Sequence, residues 1–128
     1  MLDYETGKRM LMHFLETIQD ISDKEYQRKA WIFGIPPGTD FDETVCCFFD
    51  MGDPVLNHYT NLDITESQYQ ILKQFRDQFE AFADADDRPY LPEEFIDTPE
   101  WDEITKMAKE VLQAFHYGSD KSEGAAQP

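Results

Sequence analysis

Apolar residues recur along the chain at the three- and four-residue spacing that is typical of amphipathic helices. The first such stripe lies between positions 2 and 21, where Asp3 can cap the start of a helix. A second stripe follows a cap-like start at positions 63–66, and a third follows Thr98 and Pro99, a capping hydroxyl and a proline suited to the first helical turn. In chain order, the three stripes are Leu11, Phe14, Leu15, Ile18 and Ile21; Tyr69, Leu72, Phe75, Phe79 and Phe82; and Trp101, Ile104, Ala108, Val111, Leu112 and Phe115.

Two shorter segments between the first and second stripes also favour helix. Ser22 opens a capping-box pattern, and the segment that follows reaches Gly34. Its apolar run at positions 30–33 could instead be a short buried strand, because a continuous apolar run fits either structure. Asp40 can cap a third helix, which we expect Gly52 to end.

Helical segments joined by short links predict an all-α fold, with about five helices in a compact bundle. The 128 residues, of which 41% are hydrophobic, are enough for a single core. We expect one helical domain over residues 1–118. Residues 119–128 are small and polar, so we expect them to form a flexible C-terminal tail.

Acidic residues dominate the charge of the chain. There are 27 Asp and Glu against 11 Lys and Arg, which gives a formal net charge of -16. A negative field of this size repels nucleic-acid phosphates and anionic lipids and attracts basic proteins. We therefore expect a basic protein partner, no direct contact with nucleic acid and no membrane binding. Acidity that serves solubility alone is the plainer alternative.

No catalytic or metal-binding pattern is evident. His13, His58 and His116 are far apart in sequence, and Cys46 and Cys47 lack the surroundings of a catalytic cysteine. We therefore predict no enzymatic activity, no metal site and no cofactor. The low cysteine content, together with the lack of a signal-peptide pattern or a long apolar run, favours a cytoplasmic protein.

The densest charge lies between positions 84 and 103, where nine acidic residues accompany one base, Arg88. Like charges at this density repel one another, so a basic partner would relieve the repulsion. The acids could instead favour the helix start at Thr98 and otherwise line a solvated loop. A second acidic group, Asp40, Asp42, Glu43, Asp50 and Asp53, brackets the third helix. We predict as partner-binding residues the nine acids of the first group and three of the second: Asp84, Asp86, Asp87, Glu93, Glu94, Asp97, Glu100, Asp102 and Glu103, with Asp40, Asp42 and Glu43.

Positions 41–45, 48–50, 62–69 and 95–101 give the chain a resemblance to a known class of proteins. It resembles the small acidic immunity proteins of bacterial toxin–immunity systems, including contact-dependent growth inhibition and related polymorphic toxins. The resemblance implies a cytosolic protein that binds a cognate toxin domain, often a basic nuclease, and blocks its active site or substrate groove. It assigns no residue, since these proteins share no common site pattern.

A second hypothesis belongs to another class. The chain could be an acidic helical adaptor or regulatory module that recognises a peptide or helix in an aromatic groove. An apolar patch exposed between helices would indicate such a module.

Overall fold

Four long helices and several short ones make up the computed structural model, which describes residues 3–34, 40–85, 89 and 91–117. Every regular element within these ranges is helical, which confirms the predicted all-α fold. The α-helices are α1 (Tyr4–Ile21), α2 (Lys24–Gln27), α3 (Phe41–Asn57), α4 (Glu66–Asp84), α5 (Pro92–Phe95) and α6 (Pro99–Ala114). A π-helix (Arg28–Ile32) follows α2, and a 3₁₀ helix (Tyr59–Leu62) precedes α4.

The long helices run antiparallel to their neighbours in the chain. Phe41, at the start of α3, lies 6.4 Å from Phe79 near the end of α4, measured between ring centroids. The same ring lies 6.0 Å from Trp101 in the first turn of α6. Gln27 ties the end of α1 to this region, because its amide nitrogen donates to the carbonyl oxygens of Asp20 and Ile21 and its amide oxygen accepts the indole N–H of Trp101. The result is an up-down-up-down bundle of four long helices.

The predicted stripes form the core of this bundle. All five apolar residues named for the first helix are buried, which confirms that assignment. In α4 the three central residues of the stripe are buried and the two outer ones are half-buried. In α6 the last two apolar residues are half-buried, because they lie where the helix ends. The fully buried large side chains include Phe14, Phe48, Phe75, Phe79, Phe95 and Trp101.

Gly52 does not end a helix, so that prediction is wrong. Helix α3 continues through Gly52 and Pro54 as far as Asn57. A Cβ atom at position 52 would lie 2.6 Å from the Phe14 ring, far inside van der Waals contact. The glycine therefore serves the close packing of α3 on α1 rather than a left-handed turn.

The apolar run at positions 30–33 forms no strand in the structure. The backbone N–H of Phe33 donates to the carbonyl oxygen of Arg28 at 3.0 Å, a five-residue interval that defines a π-turn. Ala30 and Trp31 are buried, whereas Phe33 is exposed. The wider turn rotates the side chains that follow it, so Phe33 does not point into the core as the helical pattern predicted.

Side-chain caps explain most of the helix starts. The predicted caps Asp3, Asp40 and Thr98 each accept a hydrogen bond from a backbone N–H in the first turn of their helix. At α4 the cap is Thr65, which forms a capping box with Gln68. The cap of α2 is Asp23 rather than Ser22, because Asp23 accepts from two backbone N–H groups of the first turn.

The last helix ends at Ala114, whereas the sequence predicts that it reaches about Tyr117, just before Gly118. His116 follows with a φ of 55°, in the left-handed region. Gly118 and the predicted tail at 119–128 lie outside the described residues, so the domain boundary remains a prediction. None of the described helices is both long and apolar enough to cross a membrane.

Candidate functional site

An aromatic cluster at one end of the bundle brings the acidic segments together. Phe41 at the start of α3 packs against Phe95 of α5, with ring centroids 4.9 Å apart, and against Trp31 of the π-helix at 5.2 Å. Trp101 in the first turn of α6 lies 5.1 Å from Phe95. The acidic residues that flank these rings in sequence therefore belong to the same end of the molecule, which we call the acidic end.

Ten of the twelve predicted partner-binding residues lie in the described ranges, and all ten are exposed. Asp86 and Asp87 lie outside the described residues. The other ten are contributed by the start of α3, the end of α4, helix α5 and the loop and first turns that open α6. The fold thus brings acids that are up to 63 residues apart in sequence to one end, an arrangement that a concentrated negative surface requires. The ten are Asp40, Asp42, Glu43, Asp84, Glu93, Glu94, Asp97, Glu100, Asp102 and Glu103.

Several of these carboxylates have no partner within the described part of the chain. Asp42, Glu93, Glu100 and Glu103 make no hydrogen bond or ion pair there, and neither does Asp84. No neighbouring cation therefore neutralises these exposed carboxylates. They can bind a cationic surface without first breaking a hydrogen bond or an ion pair within the described part of the chain.

Other members of the group already have partners. The Asp97 carboxylate lies 2.9 Å from the Arg28 guanidinium and 3.9 Å from the Lys24 ammonium, and Lys24 also pairs with Asp102. Asp40 accepts the backbone N–H of Glu43 at 2.8 Å as the cap of α3. Asp97 and Asp102 therefore hold α2 and the π-helix against the start of α6. Sequence reasoning gave no sign of this structural role, because the cations lie more than sixty residues away.

Two large apolar side chains are exposed at the same end. Phe33, just after the π-helix, is 71% exposed, and Leu91, just before α5, is 43% exposed. Phe33 lines a shallow pocket with Asp23, Glu25, Arg28 and Lys29. Because Arg28 pairs with Asp97, this ring lies at the margin of the acidic surface. Exposed apolar groups beside charged ones are common anchors in protein interfaces. The sequence pattern missed Phe33 because it cannot reveal a π-turn.

Trp31 contributes a buried polar group without a partner. Its indole Nε1 has no hydrogen-bond partner within the described residues, whereas the Nε1 of Trp101 donates to Gln27 Oε1 at 2.9 Å. An unpaired buried donor costs about 1–3 kcal/mol. The unpaired indole N–H of Trp31 therefore lowers the stability of the fold at the π-helix.

Cys46 and Cys47 lie side by side in α3. Cys46 is exposed and Cys47 is half-buried, although their place inside an apolar segment predicts that at least one is buried. Burial and a hydrogen bond to the Glu43 carboxylate raise the pKa of the Cys47 thiol, which disfavours the nucleophilic thiolate. Among the described residues, no three His, Cys, Asp or Glu side chains converge as a metal site would require.

One titrating group stands out near the end of α1. Burial raises the pKa of the Asp20 carboxyl to about 6, with repulsion from Asp23 and Glu16 adding to the effect. Burial also raises the pKa of the Tyr117 phenol, and the Glu16 and Asp20 carboxylates of α1 add to the effect. Asp20 is half-buried on α1 and belongs to neither predicted acidic group.

Comparison with protein-family models, curated proteins and solved structures finds no match to this chain.

Proposed function

We propose that this protein is an inhibitor that binds a basic protein partner, in the manner of an immunity protein that neutralises a toxin domain. The expected partner is a nuclease toxin, because nucleases carry a cationic groove for phosphates. The observation that carries the proposal is a group of exposed carboxylates at one end of the bundle that have no hydrogen-bond or ion-pair partner among the described residues.

Electrostatics supports fast recognition by this end. Complementary charge raises association rates above the roughly 10⁵–10⁶ M⁻¹s⁻¹ of unsteered encounters. Carboxylates such as Asp42, Glu93 and Glu100 would take places on the partner that substrate phosphates otherwise occupy. Their engagement relieves the mutual repulsion in a chain with a net charge of -16.

Apolar contacts would then stabilise the complex after the encounter. Phe33 and Leu91 provide exposed apolar area next to the charged surface. Charge mainly sets the rate of association, whereas buried aromatic anchors mainly set the rate of dissociation. We therefore propose that the carboxylates speed association with the partner and that Phe33 slows dissociation.

Co-expression with the product of the adjacent gene tests the proposal. We expect a complex that forms at low salt, weakens at high salt and inhibits the nuclease activity of the partner. Phe33→Ser should speed dissociation and leave association nearly unchanged. Met12→Ser is the matched control, since Met12 is also exposed but lies in the first half of α1, away from the acidic end. Unimpaired nuclease activity in the presence of excess protein would contradict the proposal.

The adaptor hypothesis is our second candidate, and the structure offers it less support. Of the ten Phe side chains, six are at most 5% exposed, so they form the core and line no open groove. In the groove at the far end of the bundle, Leu, Ile and Met side chains outnumber the aromatic Phe115 and Tyr117. A helical peptide that competes with the basic partner would favour this candidate.

A further inference from the structure

A groove opens at the end of the bundle opposite the acidic end. Its volume is about 560 Å³, within the range of about 300–1,000 Å³ that is usual for small-molecule sites. The groove lies between the first half of α1, the segment that links the 3₁₀ helix to α4, and the residues after α6. Its position is independent of the carboxylates on which the proposed inhibitor function rests.

The floor of the groove is apolar. Leu11 and Leu62 are at least nine-tenths buried, and half-buried Phe115 adds an aromatic wall. Met12, at the mouth, is half-exposed and can pack on a ligand. Such a floor favours a ligand with an apolar body, since burying it removes hydrocarbon surface from water.

Two opposite charges line the same groove without pairing with each other. The ammonium group of Lys8 contacts the carbonyl oxygen of Leu62 at 3.4 Å and makes no ion pair within the described residues. The Asp63 carboxylate, next in sequence to Leu62, accepts the hydroxyl hydrogen of Tyr4 at 2.8 Å. Each charged group therefore keeps hydrogen-bonding capacity, because an ammonium has three donors and a carboxylate about four lone-pair sites.

Two residues on the rim of the groove have left-handed backbone conformations. Asp63 and His116 have positive φ values of 61° and 55°, and no other described residue except glycine does. Both line this groove. Asp63 ends the 3₁₀ helix and His116 follows the end of α6, so both adopt the left-handed conformation that commonly ends helices. Another polar residue of the rim, Gln68, already accepts the backbone N–H of Thr65 and donates to the carbonyl oxygen of Ala114.

From these features we propose that the groove binds an apolar α-amino acid through its carboxylate and its ammonium group. The ligand carboxylate pairs with Lys8, the ligand ammonium with Asp63, and the side chain lies on the floor formed by Leu11 and Leu62. A zwitterion suits the site better than an ion of either sign. An anion would leave the Asp63 carboxylate without a counter-ion, and a cation would leave the Lys8 ammonium without one, whereas a zwitterion pairs with both.

Three related probes separate the two charge contacts. L-Phenylalanine carries both groups, 3-phenylpropanoate lacks the ammonium, and phenethylamine lacks the carboxylate. Titration of the full chain, followed by amide NMR shifts, should give saturable changes around Leu11, Leu62 and Phe115 with L-phenylalanine. We expect each of the other two probes to bind about tenfold more weakly.

Two variants assign the contacts. Lys8→Met keeps the aliphatic stem and should remove the preference for L-phenylalanine over phenethylamine. Asp63→Asn keeps a residue that tolerates left-handed backbone and should remove the preference over 3-phenylpropanoate. Lys109→Met and Asp50→Asn are the matched controls, because both residues are exposed and neither lines the groove.

Equal affinity for the three probes would overturn the proposal, as would the absence of shifts at the groove. Equally tight binding of N-acetyl-L-phenylalaninamide would also overturn it, because that probe has the apolar body without either charge. Such a result would instead indicate a groove for apolar peptide segments. None of these outcomes bears on binding of a basic partner at the acidic end.

Discussion

The ring of Phe41 lies 4.9 Å from that of Phe95 in an edge-to-face arrangement, with an interplanar angle of 61°. Asp42 and Glu43 follow the first ring in the sequence, and Glu93 and Glu94 precede the second. One buried aromatic contact thus holds two exposed acidic segments, fifty residues apart, at the same end of the bundle. The charge of the surface depends on the packing beneath it.

Removing one of these rings should destabilise the fold strongly. Phe95→Ala would leave a cavity beside Phe41, Phe82 and Trp101, so we expect the free energy of unfolding to fall by about 3–5 kcal/mol. Urea denaturation measures the change. Leu91→Ala is the control, since this exposed side chain should change stability by no more than about 0.5 kcal/mol. Equal losses of unfolding free energy in the two variants would contradict the central position of Phe95 in this aromatic packing.

Gln27 should be an important polar residue of the core. Its amide nitrogen donates to the Asp20 and Ile21 carbonyl oxygens at 3.0 and 2.8 Å, and its oxygen accepts from Trp101 Nε1. We expect Gln27→Ala to lower the free energy of unfolding by about 2–4 kcal/mol, because it leaves the buried indole N–H unpaired. The exposed Gln113→Ala is the matched control, measured by the same denaturation. A loss below about 0.5 kcal/mol for Gln27→Ala would contradict this role.

Asp20 should make stability fall as the pH rises. Its pKa in the folded state is about 6, above the ordinary value of 3.8, so the folded state binds more protons between these values. Its contribution therefore favours folding at low pH, declines from about pH 4 to about pH 6 and remains unfavourable above that range. Because the group is half-exposed, we expect Asp20→Asn to raise the free energy of unfolding at pH 7 by only about 1 kcal/mol.

The difference between Asp20→Asn and the native chain isolates this group from the other acids. Urea denaturation of both proteins at several pH values between about 4 and 7 should show the difference growing with pH. A difference that stays constant over this range would show that Asp20 titrates normally. Glu5→Gln, an exposed change with the same charge, controls for net charge.

Gly52 should not tolerate a larger residue. A Cβ atom there would lie 2.6 Å from the Phe14 ring. Alanine forms helices better than glycine by about 1 kcal/mol, but overpacking costs about 1–3 kcal/mol. We therefore expect Gly52→Ala to lower the thermal midpoint. A higher midpoint would show that α1 and α3 separate freely enough to admit a methyl group.

Apolar periodicity was sufficient to predict the long helices and the core. The stripe from Leu11 to Ile21 is buried as expected, because a helix of that pattern has one face to bury. Gly52 was misread, since the same residue can end a helix or allow two helices to approach closely. That choice depends on Phe14, which lies far away in sequence.

The acidic end was predictable only in part. Local charge density identified the acids, but the pairing of Asp97 with Arg28 depends on tertiary packing. The exposure of Phe33 depends on a π-turn that no local pattern reveals. The groove near Lys8 and Asp63 was missed for the same reason, because its walls come from segments that meet only in the folded chain.

Association kinetics with the basic toxin domain test the central claim most directly. The triple variant Asp42→Asn, Glu93→Gln, Glu100→Gln removes three carboxylates of the acidic end that lack internal partners. The control Glu5→Gln, Asp50→Asn, Glu110→Gln removes three exposed carboxylates elsewhere, so both variants change the net charge equally. We predict that the first variant slows association at least about tenfold more than the second, and that high salt abolishes the difference. Equal slowing by the two variants would contradict recognition through the acidic end.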